Sequence, residues 1–258
     1  MPFKLSRKKI PLYVVVFDQI EIIKKTLDSF APLADRLDII VIENPSDNSK
    51  EIGKLITSYG NKGVIKRYYK LNENIAGNGF RVVIQNERKV IKSAKYSLIT
   101  DGDLELDSVA WLDEQLSVMK KHPDLFTCAI TLDKSNLPLK NFPESINWVP
   151  DDIQEHEDYF QAYTGAHLLM LRSKELLSFM DWLIKNNHSF VDGQLHEFSE
   201  NILGKKWGRT KQTQAIHLTW SLYHDLDHPY TKFKLAKSFH ETWHNIPLDT
   251  GFSLTNFS

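Results

Sequence analysis

Apolar positions in the first part of the chain fall into short dense runs separated by stripes of helical period. Residues 12–17, 37–42 and 96–100 are apolar runs of strand length and residues 64–71 read as a further strand, all bounded by polar or glycine-bearing turns. Between them, Ile20, Ile23, Leu27 and Phe30 recur at the spacing that lines one helix face. Ile52, Leu55, Ile56 and Tyr59 do the same, and so do Phe80, Val83, Ile84, Val90 and Ile91. Asp18, with Glu21 three residues on, predicts a capped start for the first helix, and Gly60 a stop for the second. Four strand–helix alternations predict an α/β fold: a Rossmann-like, mostly parallel sheet flanked by helices, with right-handed crossovers.

The alternation continues with a helix from Asp107 or Ser108, carrying Val109, Leu112, Leu116 and Met119. A strand over 125–132, another over 160–171 and a helix opening at Ser173 follow. Residues 133–159 break the pattern, being acidic and carrying Pro138, Pro143 and Pro150, so they predict either a binding lid or a disordered insert. The last third is rich in Trp and His and weaker in periodicity, a C-terminal elaboration. With no repeat and no linker, the chain predicts a single domain over residues 1–258.

Composition narrows the class. The 258 residues have a formal net charge of −1, which gives no global attraction to nucleic acid or anionic lipid. No apolar run approaches the roughly 20 residues that span a bilayer. The run after the basic N-terminus is too short for a signal-peptide core, so the expectation is a cytoplasmic protein, with contact at the inner face of a membrane left open. Cys128 is the one cysteine, which excludes an internal disulfide and predicts a buried thiol.

The candidate chemistry sits where strands end. Residues 96–100 lead into Asp101-Gly102-Asp103, two carboxylates one residue apart at the edge where open α/β sheets bind ligands. Hard carboxylate oxygens suit Mg²⁺ or Mn²⁺, which takes one or two of them plus substrate phosphates. The same triplet also serves as an acidic turn. Asp18, Glu43 and residues 72–79 end the other parallel strands and so belong to the same edge. Glu43 can accept from a base N–H. Gly77 and Gly79 permit close approach of backbone amides, and Arg81 follows one turn into the helix they open; the region is an anion cradle or a plain helix start.

The order of elements, residues 40–49, the Asn72-x-Asn74-x-x-Gly77 segment and Thr100 to Asp103 resemble a family 2 glycosyltransferase of the GT-A fold. The resemblance covers residues 12–195 and weakens beyond. It implies a nucleotide-sugar-binding part over about 11–132 and an acceptor-binding part over about 133–258. Here Glu43 stands for the family's Asp, residues 44–46 read Asn-Pro-Ser, and Asn48 replaces an Asp. The resemblance implies that Asp18 and Glu43 line the nucleoside pocket, with Asn74, Gly77 and Arg81 on the donor side. Asp101 faces the ribose or diphosphate, and Asp103 ligates the metal. Thr164-Gly165-Ala166 flanks the sugar.

The family's catalytic Asp matches Asp192, without the preceding Glu, and Glu197 and Glu200 stand in reserve. Asp192 is either that base or a helix cap. A C-terminal His often completes the metal site in such enzymes: His217 is the first choice, His240 and His244 the next, with His224 and His228 in the same tract. Each also reads as an ordinary packed or surface His. Trp207, Trp220 and Trp243 suit a core or a sugar-stacking surface. The expectation is an inverting, metal-dependent transfer from a UDP-sugar to a saccharide or lipid-linked glycan, with Mn²⁺ or Mg²⁺ as cofactor. The alternative is a GT-A-like module that binds a glycan or nucleotide without catalysis. A sugar-nucleotidyltransferase would carry a basic Gly-rich loop after the first strand, which Phe17-Asp18-Gln19-Ile20 lacks.

Overall fold

The computed structural model describes residues 8–236 and 246–257. Strand β1 (Ile10–Val16) leads to helix α1 (Ile20–Phe30), β2 (Leu37–Glu43) to α2 (Ser49–Asn61), and β3 (Ile65–Leu71) to α3 (Asn78–Asn86) and α4 (Arg88–Ser93). Strand β4 (Tyr96–Asp101) ends this unit. β1 pairs in parallel with β2 and β4, and β2 with β3. β1, β2 and β4 are apolar nearly throughout because helices cover both faces, whereas β3 carries Lys66, Arg67 and Lys70. Leu12, Val14, Ile39 and Val41 enter one layer of core, while Tyr13, Ile40, Ile42 and Ile99 enter the other.

Beyond β4 the sheet changes character. β5 (Leu104–Leu106) follows the acidic turn at once, then α5 (Trp111–Lys121), β6 (Leu125–Leu132), β7 (Gln154–Glu155), β8 (Phe160–Gln161) and β9 (Leu169–Arg172). Next come α6 (Ser173–Lys185), α7 (Asp192–Glu197), β10 (Lys206–His217), α8 (Pro229–Ala236) and β11 (Phe252–Asn256). The strands form one sheet in the order β11-β3-β2-β1-β4-β9-β6-β10-β8-β7, with β5 paired to β10 off this path. β9 runs antiparallel to both β4 and β6, whereas β10 runs parallel to β6. The sheet is parallel from β3 through β2 and β1 to β4, flanked by helices, and takes antiparallel strands on both sides, β11 on β3 and β9 on β4.

Several local expectations change. The strand foreseen over residues 160–171 is two strands, β8 and β9, with an irregular segment between them that enters the site. The helix expected over residues 80–91 is two, broken at the buried Glu87, which accepts from Tyr69 Oη at 2.5 Å and pairs with Arg67 at 2.9 Å. α5 starts at Trp111 because residues 104–106 are taken up by pairing with β10. Asp18 caps nothing: it is itself left-handed, with φ 62°, and Gln19 occupies the cap position of α1.

Gly60 is a buried part of α2, packed on Phe257, and the left-handed residue after the helix is Gly63. Residues 133–159 pack onto the C-terminal part of the chain. Phe142 and Trp148 pack their rings on Tyr223, Arg209 grips Asp152, and a 3₁₀ turn spans Pro143–Trp148. Cys128 is buried in β6, as expected. Among the described residues no helix is long and apolar enough to cross a membrane.

Candidate active site

Asp101, Asp103, Asp192, His167 and His217 converge at the edge where β1 and β4 end. Gly102 makes the turn between the two carboxylates possible. A Cβ there would lie 2.6 Å from Val16 Cγ1 and 2.8 Å from the Val15 carbonyl, so any side chain would push the turn off β1. The chain then runs antiparallel to β10, with Leu104 opposite His217. That short pairing is what brings together groups more than a hundred residues apart.

Asp103 is held from three sides. Its carbonyl accepts from Leu218 N–H at 2.7 Å, its Oδ2 accepts from Thr219 Oγ1 at 2.8 Å, and His217 Nδ1 lies 3.6 Å from the same oxygen. Its Oδ1 is buried without a hydrogen-bond partner among the described residues. The His217 ring stacks on Trp220 at 4.5 Å and meets His167 edge-on at 4.9 Å. Burial holds His217 below the ordinary histidine pKa, with Asp103 opposing the shift. His167 is pushed down to about 4, by burial first and by His217 second. Asp101 is raised well above the carboxylate range by burial and then by Asp103 and Asp192, against the pull of Lys234 on α8. A carboxyl raised by burial, and further by two like neighbours, is the arrangement expected of a site that gathers negative charge for a purpose.

Asp192 opens α7 from the opposite bank. Val191, not Asp192, occupies the cap position, and the Asp192 carboxylate instead accepts from the Ala166 N–H at 3.1 Å while staying exposed. Gly165 fits between the two banks. A Cβ at that position would meet both Asp192 Oδ2 and His167 Nε2 at 2.8 Å. His167 was not singled out from sequence; the one available signal is that it directly follows Thr164-Gly165-Ala166.

Other expected residues have different work. Glu43 is fully buried: Tyr68 Oη donates to it, Ser49 hydrogen-bonds it, and burial raises its pKa. It therefore presents no surface to a nucleobase in this structure. Asp18 accepts from Gln19 Nε2 at 2.7 Å and from Asn48 Nδ2 at 3.0 Å. Asn74 is exposed and accepts from Ala76 N–H at 3.0 Å, closing its own turn. Gly77 makes room for protein, since a Cβ there would fall 2.7 Å from the Phe190 carbonyl. Arg81 donates to the His188 carbonyl at 3.0 Å, toward the α6–α7 connection and not toward the acidic cluster.

Asn44 and Asn78, given no individual role from sequence, tie these segments together. Asn44 bonds Ile75 N–H and the Ala76 carbonyl, and Asn78 Oδ1 accepts from Phe190 N–H at 2.7 Å. Trp207 and Trp220 are buried. His224 and His228 are engaged elsewhere, with Asn136 and Tyr230. Glu197 and Glu200 are exposed. His240, His244 and Trp243 lie outside the described residues.

Among the described residues no three His, Cys, Asp or Glu side chains are gathered closely enough to hold a metal ion alone. The donors present nevertheless fit a hard divalent cation that shares its shell with phosphates, because such an ion needs only one or two carboxylates. The buried, unpartnered Oδ1 of Asp103 is the oxygen whose desolvation a cation would offset.

Comparison with known proteins agrees at the level of fold. The chain has the GT-A fold. It superposes on a mannosyltransferase from Pyrobaculum calidifontis, solved with GDP-Man and Mn²⁺, with a TM-score of 0.50 and 10% identity, over 85% of this chain and 61% of that one. No family model matches the sequence. Three uncharacterized proteins of Acanthamoeba polyphaga mimivirus are similar in sequence. One is 40% identical over 233 residues, 89% of this chain and 47% of the relative. The second is 36% identical over 91% of this chain and 32% of the relative, and the third 34% over 93% and 27%. The chain thus spans about half or less of the length of the curated relatives it matches.

Proposed function

We propose that this chain is a metal-dependent glycosyltransferase that moves a sugar from a UDP-sugar to a saccharide or lipid-linked glycan, with inversion at the anomeric carbon. The convergence of Asp101, Asp103, His217 and Asp192 on one sheet edge carries the reading. In it, Asp103, with Asp101 and His217, holds Mn²⁺ or Mg²⁺, and Thr219 fixes the Asp103 rotamer. When bound, the ion supplies positive charge to the departing nucleoside diphosphate. Asp192 faces the acceptor. The acceptor oxygen forms its bond to the anomeric carbon as the bond to the diphosphate breaks; the electron pair leaves on the diphosphate and the hydroxyl proton passes to Asp192. General-base assistance of this kind contributes about 10²- to 10⁴-fold in rate. The Ala166 N–H orients the carboxylate, and its exposure leaves room for an acceptor.

Nucleoside diphosphate release from a panel of UDP-sugars, with GDP-mannose included because the mannosyltransferase of like fold carries it, tests the reading. Release that requires Mn²⁺ is expected for at least one donor. No release from any of them, with or without the ion, leaves only the reading of a non-catalytic binding module.

A further inference from the structure

A second concave surface lies on the α2 side of the sheet, away from the acidic cluster. Helix α2 forms one wall and the edge strand β11 the other, with Tyr68 at the floor. Lys50, Lys54, Lys62 and Lys70 line it, together with Ser253 and Thr255, and no carboxylate does. The register explains how the polar groups align. Ser253 pairs with Lys70 and Thr255 with Tyr68, so these alternate residues share one sheet face while Leu254 turns away. Gly53 keeps the middle open, since its missing side chain leaves the floor to the Tyr68 hydroxyl.

The basic residues are placed against the interest of the helix itself. Lys50 stands in the first turn of α2, where the helix dipole disfavours a cation. Lys50 and Lys54 are four residues apart, a like-charge pair that costs a few tenths of a kcal/mol in an isolated helix. Neither takes part in an ion pair among the described residues, unlike Lys24 on α1, which pairs with Asp28. An anionic ligand would offset both costs. The walls further narrow its class. Serine, threonine and asparagine match sugar hydroxyls, while Tyr59 and Tyr68 are buried and offer no exposed ring on which bases could stack. A groove between a helix and a strand suits a chain better than a flat lipid surface.

One end of the groove, at Lys70, lies on the same sheet edge as the candidate active site. Lys70 lies opposite Glu43, Glu43 opposite Val16, and Val15 opposite Asp101, so Lys70 and Asp101 are three strand spacings and one residue apart, about 15 Å. We propose that this groove binds an anionic saccharide chain, holding the acceptor at a second point while its end lies at Asp192. The acceptor role rests on the glycosyltransferase reading; the binding itself does not.

The test uses the full chain without any donor. Fluorescence anisotropy is followed with labelled oligogalacturonate, neutral dextran oligosaccharide, single-stranded oligo-dT and phosphatidylserine vesicles. Oligogalacturonate is expected to bind in preference to the other three, weakening as salt rises through the range where exposed charges are screened. The triple variant Lys50→Gln, Lys54→Gln, Lys70→Gln should lose about tenfold or more in affinity, equivalent to about 1.4 kcal/mol. Lys24→Gln, outside the groove, should lose nothing, and both variants should unfold cooperatively, the triple variant melting no lower than the wild type. Unchanged binding in the triple variant, no binding by the wild type, or stronger binding of oligo-dT or vesicles overturns the proposal. Because donor hydrolysis is measured separately, a chain that binds oligogalacturonate but cleaves no donor keeps the groove and loses the transferase reading.

Discussion

Asn48 Nδ2 donates to Asp18 Oδ1 at 3.0 Å and to the Asp18 carbonyl at 3.2 Å, so one amide holds both ends of a residue at φ 62°. Residue 48 is where this chain departs from the Asp of the glycosyltransferases it resembles. An Asp there would set one carboxylate against another and remove the donor. Asn48→Asp should cost about 1 kcal/mol at neutral pH, the scale of one hydrogen bond. That corresponds to a few degrees of melting temperature. A variant that melts with the wild type at pH 7 would show that the pair does not hold this turn.

Asp192→Asn preserves size and leaves an oxygen to accept from Ala166 N–H. Transfer should fall by about 10²- to 10⁴-fold. Nucleotide and Mn²⁺ should still raise the melting temperature as they do for the wild type. A rate within a few fold of wild type would assign the proton to another group.

Gly165→Ala brings a methyl against Asp192 Oδ2 and His167 Nε2, each 2.8 Å from the Cβ position. Both side chains must move. Steady-state assays should show a loss in kcat larger than any change in donor KM, because the displaced carboxylate is the one proposed to serve the acceptor side. Comparable kcat would mean that the site tolerates misplacement of Asp192, contrary to the steep dependence of catalysis on geometry.

The strands β1 to β4 and the acidic pair were legible because dense apolar runs and their polar ends are local features. Asp192 and His217 were also legible as candidates, and the structure brings them to the same edge. Non-local pairing was not legible. β9 is an apolar run whose composition reads the same in either direction, so nothing in Leu169 to Arg172 announces that it runs antiparallel between β4 and β6. β11 alternates and is mostly exposed, and only its pairing with β3 makes it a strand. Glycines misled for a related reason. Gly60 and Gly77 read as a helix stop and a ligand cradle, yet each makes room for another part of the protein, Phe257 and Phe190.

The raised pKa of Asp101 gives a prediction of opposite sign to the usual active-site substitution. Its folded pKa lies above the unfolded value, so the metal-free protein loses stability as pH rises from the unfolded pKa toward the folded one. Asp101→Asn removes that term. The variant should melt higher than the wild type at pH 7 without metal, with the advantage fading toward pH 4, and it should respond less to Mn²⁺. Differential scanning calorimetry across that pH range checks the sign; a variant less stable than wild type at pH 7 contradicts it.

Asp103 offers the most direct test, because its unpartnered Oδ1 is the atom assigned to the cation. Melting temperatures of the wild type and of Asp103→Asn are compared with UDP alone, Mn²⁺ alone and both together, since a ligand bound only by the native state raises the melting point. The wild type should rise most with both present and the variant should not respond, although its melting curve without ligand is cooperative. An equal rise in the two proteins would contradict the assignment of the cation to this carboxylate.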